Sequence, residues 1–184
     1  MEVNWAQVLF NSAITGSLYL IGAVGLTLTY GLSKFPNFAH AEFITLGAFI
    51  GYSVAEQLGL ALPLAMVVAF LVTGVVGVLC YRGIFQPLAR RGANLINLMV
   101  ASIALGFILR HSVGAAWTWK PLYFTTAWHA FDIGPLRISS LWLWLIFAAM
   151  ALSLAMHFIL IYTKIGKAIR ASASNPELAL ASGK

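Results

Sequence analysis

The chain has 184 residues, of which 61% are hydrophobic and only 9% charged, with a formal net charge of +6. A soluble domain carries about 25% charged residues, so a solvated surface is excluded and the apolar excess fits a lipid-facing exterior. At roughly 20 apolar residues per span, the length holds about five spans with short connections.

The first apolar run, roughly residues 6–31, contains no charge. It is too long for the core of a signal peptide, and Glu2 precedes it where a cleaved leader needs Lys or Arg. It predicts a retained first helix. A less regular second segment covers roughly residues 37–54. The third span is expected over about 62–81, closed by Arg82, with Cys80 as an ordinary buried thiol. One cysteine excludes an intrachain disulfide and a Cys-rich metal site. The fourth span is expected over about 95–109, with Arg110 and His111 at its end, and the fifth over about 141–162, followed by Lys164, Lys167 and Arg170. The predicted fold is an all-α, multi-pass transmembrane helix bundle.

The basic residues lie at the ends of apolar runs instead of forming one dense patch, which is the footprint of membrane orientation and not of nucleic-acid binding. With the N-terminus outside, Lys34, Arg82, Arg90, Arg91, Lys164, Lys167, Arg170 and Lys184 fall in the cytoplasm, and only Arg110, Lys120 and Arg137 lie outside. That distribution follows the positive-inside rule. The outer segment carries Trp117, Trp119, Tyr123, Phe124, Trp128 and Phe131, and Trp142 and Trp144 open the next helix, as an interfacial aromatic belt does. Gly47 with Gly51, Thr73 with Gly77, and Ser102 with Gly106 stand at the spacing that lets membrane helices approach closely.

The second segment breaks the pattern. Pro36 disfavours helix at Phe35, and Asn37 is suited to cap a new helix running through Glu42. His40 and Glu42 then sit in its first two turns, near the cytoplasmic edge, where a carboxylate gains from the positive helix end. Ionisable groups within spans usually face a protein interior or a wet cavity. Asn37, His40 and Glu42 are therefore candidates for the lining of a translocation path or for the geometry of the helix start. The same residues are compatible with a shallow position that meets water or headgroups. His40 and Glu42 point to different faces and lack further ligands for a metal, and no nucleophile, base and orienting group share a face. No metal, cofactor or catalytic residue is expected.

Beyond the fifth span, Asn175 is a good N-cap, Pro176 fits the first helical position, Glu177 favours the first turn and Gly183 supplies a stop. A polar link and then a short cytoplasmic helix over about 176–182 follow from this. Its Leu178 and Leu180 need a groove to bury in or leave it lying on the membrane surface.

The run Gly166-Lys167-Ala168-Ile169-Arg170-Ala171, then Asn175-Pro176-Glu177 with Ala179 and Gly183, resembles the cytoplasmic coupling loop of ABC importer permeases, in particular those of the branched-chain amino acid family. Gly25-Leu26-Thr27-Leu28-Thr29-Tyr30-Gly31, followed by Asn37-Phe38-Ala39-His40 and Glu42, resembles that family's N-terminal signature. So do Arg82-Gly83-Ile84-Phe85-Gln86-Pro87-Leu88 and Ala101-Ser102-Ile103-Ala104-Leu105. The resemblance spans nearly the whole chain. It departs at Ala41, where the family usually has Gly, and at Lys184, where members continue into further helices. It thus implies a single transmembrane permease domain over 1–184 that corresponds to the N-terminal three-fifths or so of a permease, ending inside a coupling loop at 163–184.

The resemblance implies a translocation path for branched-chain amino acids or related small polar solutes, located in the cell inner membrane. It also implies a second permease subunit, partner ABC ATPase subunits and an external substrate-binding protein. Gly166, Arg170, Glu177, Ala179 and Gly183 are the implied ATPase-coupling residues. The chain has no GxxxxGK[ST] phosphate loop of its own. A urea or amide importer permease, or a channel or scaffold outside the ABC class, are the alternative readings.

Overall fold

The computed structural model describes residues 3–124 and 129–174. They fall into two compact units: residues 35–124, and the segment through Lys34 together with everything described from 129 onward.

The unit of residues 35–124 is built around α5 (Leu95–Ala116), which Asn94 caps by accepting the Asn97 N–H at 2.9 Å. In the most apolar stretch of α5, 39% of residues are buried, against 6% for each of the other long apolar helices, so α5 is the internal helix. Beside it stands α2 (His40–Tyr52), continued by one π-helical turn at Ser53–Gln57. Then come α3 (Leu62–Cys80), a π-helical turn at Tyr81–Phe85 and α4 (Gln86–Arg90), which together form one continuous helix of 29 residues. Pro87 has no N–H to return to the carbonyl one turn back. The wide turn before it absorbs that loss, with the Gln86 N–H reaching Tyr81 O. The third helix therefore does not stop at Arg82 as expected from sequence. Likewise α5 does not stop at Leu109, and Arg110 and His111 lie inside it.

Gly47, Gly51, Thr73 and Gly106 pack as their spacing suggests, whereas a Cβ at Gly77 would meet nothing within 4 Å. A Cβ at Gly47 would sit 3.3 Å from Thr73 Oγ1, and one at Gly51 would sit 3.6 Å from the Ala69 Cβ, so α2 and α3 meet along this stripe. Phe35, Ala39, Phe85, Leu98, Leu105 and Leu109 form the core, with the rings of Phe35 and Phe85 5.5 Å apart. Cys80 is half-buried against it. Trp117 closes the far end, its indole N–H donating to Ser53 Oγ and its ring 5.8 Å from that of Phe49.

The other unit pairs α1 (Trp5–Ser33) with α6 (Ser140–Tyr162), the Phe10 and Trp142 rings lying 6.2 Å apart. Asn4 caps α1 by accepting the Gln7 N–H at 3.1 Å. An antiparallel hairpin, β1 (Ala130–Ile133) and β2 (Leu136–Ser139), precedes α6 and was not expected from the aromatic content of this segment. Its signals are Gly134-Pro135, with Gly134 at φ 57, between short alternating runs. Gln7 holds the hairpin to α1, accepting the Arg137 N–H at 2.8 Å and donating to Arg137 O at 3.3 Å. After α6 comes α7 (Lys164–Ser174), a helix where the sequence suggested a polar link.

Among the described residues, four helices are long and apolar enough to cross a bilayer: α1, the α3–α4 helix, α5 and α6. The fold is an all-α multi-pass membrane bundle. The second of the five expected segments is present as the shorter α2 and its π turn. Of the expected aromatic belt, Trp119, Tyr123, Phe124, Phe131 and Trp144 are exposed, and Trp128 lies outside the described residues.

Ser102, with 0% exposure, accepts the Phe38 N–H at 3.1 Å and donates to Met99 O at 2.7 Å. Ser102→Ala leaves that N–H without an acceptor in the packed interior, a loss of about 1–3 kcal/mol. The expected outcome is a matching fall in stability by denaturant titration in lipid, with faster hydrogen exchange at the Phe38 amide.

Candidate functional site

The break before α2 begins at Lys34, the C-cap of α1, whose N–H donates to Tyr30 O at 2.9 Å. Lys34 has φ 61, a left-handed conformation that a side chain adopts only at some cost. Pro36 then keeps the chain out of helix. The Asn37 side chain accepts the Ala39 N–H at 3.1 Å, and its carbonyl accepts the His40 N–H at 3.1 Å. Asn37 thus organises the helix start through an Asx turn. The helical cap position is Ala39, two residues later than the sequence suggested.

Ala39, at 0% exposure, packs on Gly106 near the middle of α5, where a Cβ would lie 3.6 Å from Ala39 Cα and 3.8 Å from Glu42 Cγ. The start of α2 is therefore level with the middle of α5, not with its end. Glu42 lies in the first turn of α2, half-buried, and shares a cleft with Arg110. His40 is half-buried next to it in sequence but does not line that cleft. Ala41 is exposed, and the close approach to α5 is made by Ala39.

The second group of candidates forms an elbow between α6 and α7. Thr163 Oγ1 accepts the Gly166 N–H at 3.0 Å, capping α7, while its hydroxyl donates to Ile159 O at 2.6 Å. Gly166 is buried, and a Cβ there would lie 2.2 Å from Ile159 O and 2.4 Å from Leu160 O. Only glycine fits that corner. Arg170 donates to Ile161 O at 3.3 Å, satisfying a carbonyl at the open end of α6. At the other end of α7, the Lys34 ammonium donates to Ala173 O. Cations thus meet helix C-terminal carbonyls at both places, the favourable end of each dipole. Glu177, Ala179 and Gly183, with the helix expected over 176–182, lie outside the described residues.

The structure brings Glu42 together with Arg110, and α7 together with Lys34. Sequence reasoning used Arg110 and Lys34 only as orientation charges. The apolar pattern that resumes at Val113-Gly114-Ala115-Ala116 is the sequence signal that puts Arg110 inside its span and not at the end of it. Nothing local in the sequence connects Lys34 to Ala173.

Residues 8–184 match the family described as branched-chain amino acid transport system / permease component. The chain is 30% identical to the probable branched-chain amino acid transport permease protein LivH of Methanocaldococcus jannaschii, over 99% of this chain and 59% of that protein. It is 33% identical to the high-affinity branched-chain amino acid transport system permease protein BraD of Pseudomonas aeruginosa, over 60% of this chain and 38% of that protein. With the high-affinity permease protein LivH of Escherichia coli K12 the identity is 25%, over 94% of this chain and 60% of that protein. The chain spans less than two thirds of the length of these curated relatives. No solved structure matches it. With a match that runs from residue 8 to residue 184, the chain belongs to the family of permease components of branched-chain amino acid transport systems.

Proposed function

We propose that the chain is a permease subunit of an ABC importer and forms part of the translocation path for branched-chain amino acids or closely related small polar solutes. The family match across residues 8–184 carries this reading. On it, the protein resides in the inner (plasma) membrane with its N-terminus outside. It pairs with a second permease subunit, receives substrate from an external binding protein and is driven by ATPase subunits on the cytoplasmic face.

Two structural observations support a moving part at each functional region. The break at residues 34–39 puts Glu42 level with the middle of a membrane-length helix, which favours a path-lining position over a shallow one. The α6–α7 elbow leads directly into the expected coupling segment, and Lys34 joins the end of α7 to the end of α1. Movement delivered beyond Ser174 thereby reaches α1 through one charge-assisted hydrogen bond. Alternating access requires contacts that differ between two conformations, and on this reading the Lys34 bond is a contact that would be made in one of them and broken in the other.

The chain assembled with its ATPase and binding-protein partners in proteoliposomes is expected to take up leucine in an ATP-dependent manner. Uptake of urea or amides without leucine would move the assignment to that branch of importers, and purification free of any ATPase would favour a scaffold. Glu177→Lys is expected to abolish uptake while ATP hydrolysis continues, and wild-type uptake in this variant would count against the coupling role. Lys34→Gly relieves the left-handed backbone yet removes the ammonium. Fewer molecules transported per ATP, at undiminished stability, is the predicted result, and an unchanged ratio would remove Lys34 from the coupling route.

A further inference from the structure

A cleft of ≈ 190 Å³ opens beside the start of α2, lined by Phe38, Glu42, Ile103, Gly106, Phe107 and Arg110. It joins one carboxylate and one guanidinium on helices otherwise rich in apolar residues. Among the described residues the two side chains form no ion pair with each other, and neither has another side-chain partner. Ionisable groups at this depth normally pair or face a wet cavity. Opposite charges that share a cleft without closing on each other are arranged for a ligand that bears both.

The geometry decides which charge goes where. Three leading donors at the N-terminus of α2 are already used, the Phe38 N–H on Ser102 Oγ, the Ala39 N–H on Asn37 Oδ1 and the His40 N–H on Asn37 O, and the cation that lines the cleft is Arg110. A ligand carboxylate goes to Arg110, whose planar fork suits it. Glu42, an acceptor only when ionised, takes an ammonium. Phe38, Ile103 and Phe107, exposed at 52%, 43% and 60%, supply apolar surface between and beside these groups. Gly106 keeps the floor open, since a side chain there would grow from a point 3.8 Å from Glu42 Cγ. The volume is below the range of about 300–1,000 Å³ for drug-sized ligands, so the occupant is a small metabolite.

We infer that this cleft is a binding station for a zwitterionic α-amino acid with an apolar side chain, Glu42 holding the ammonium and Arg110 the carboxylate. The inference rests on the transport reading above and adds to it the residues that recognise the substrate's backbone charges within the membrane domain.

Saturation-transfer NMR on the assembled transporter in lipid nanodiscs tests it, with leucine, 4-methylpentanoate (no ammonium) and 3-methylbutylamine (no carboxylate) as probes. Glu42→Gln is expected to weaken leucine binding about tenfold or more and leave 4-methylpentanoate unchanged. Arg110→Gln is expected to weaken leucine similarly and leave 3-methylbutylamine unchanged, with partial recovery in Arg110→Lys. Equal weakening of all three probes would assign the pair a structural role and overturn the inference, as would unaltered leucine binding in both variants. Should wild-type vesicles transport leucine while either overturning result holds, the cleft alone is discarded. If the wild type moves no amino acid, the transport reading and the cleft assignment fall together.

Discussion

Backbone polar groups inside a bilayer have no water to bond and must be satisfied by the protein itself. The departure from helix between Lys34 and Ala39 depends on meeting that requirement. Pro36 brings no donor. The Lys34 N–H turns back to Tyr30 O, Ala39 and His40 are served by the two oxygens of Asn37, and Phe38 is served by Ser102 from another helix. Only the last of these bonds crosses between elements that are distant in sequence. Ser102 can make it because Gly106, one turn on, has no side chain to hold the segment away from α5. The choice of residues along this face of α5 follows from that bond, and so does the position of Glu42.

Much of this architecture is legible in the residues themselves. The apolar runs locate α1, α3, α5 and α6 because a span must be long and nearly free of charge. The Gly47, Gly51, Thr73 and Ser102–Gly106 spacings mark surfaces that do come into close contact, since helices in lipid attract largely through packing. Pro36 and Asn37 mark the break. The helix ends were harder to read. Arg82, Arg110 and the residues after Tyr162 look like stops in a pattern that equates charge with water, yet the helices pass through the first two and a new helix begins after the third. A π turn or a snorkelling side chain carries a charge past such a point. The hairpin at residues 130–139 was hidden because its two short strands sit in a stretch whose aromatic residues draw attention to lipid instead of to the Gly134-Pro135 turn.

The candidate site divides in the same way. Gly166 and Arg170 stood out as a motif, and their local geometry explains the motif: one permits the corner and the other closes the end of α6. Asn37 and Glu42 stood out as polar groups in an apolar setting. The groups they meet across the fold did not stand out in those roles, because Ser102, which accepts the N–H of Phe38 beside Asn37, and Arg110, which lines the same cleft as Glu42, lie far along the chain. Such juxtapositions arise from tertiary packing that local pattern does not encode. A basic residue counted only for orientation turns out to hold a helix terminus in the case of Lys34, and to line a cleft in the case of Arg110.

The tightness of the α6–α7 elbow has a mechanical consequence. With Gly166 seated directly on the carbonyls of Ile159 and Leu160, and both Thr163 and Arg170 bonded back onto the last turn of α6, the corner has almost no slack in which to bend. A hinge at this point would dissipate a small displacement within the corner itself. On the coupling role proposed for this segment, a stiff corner would turn the same displacement into rotation of the whole of α6, with α7 as a lever arm and the long apolar helix as its shaft.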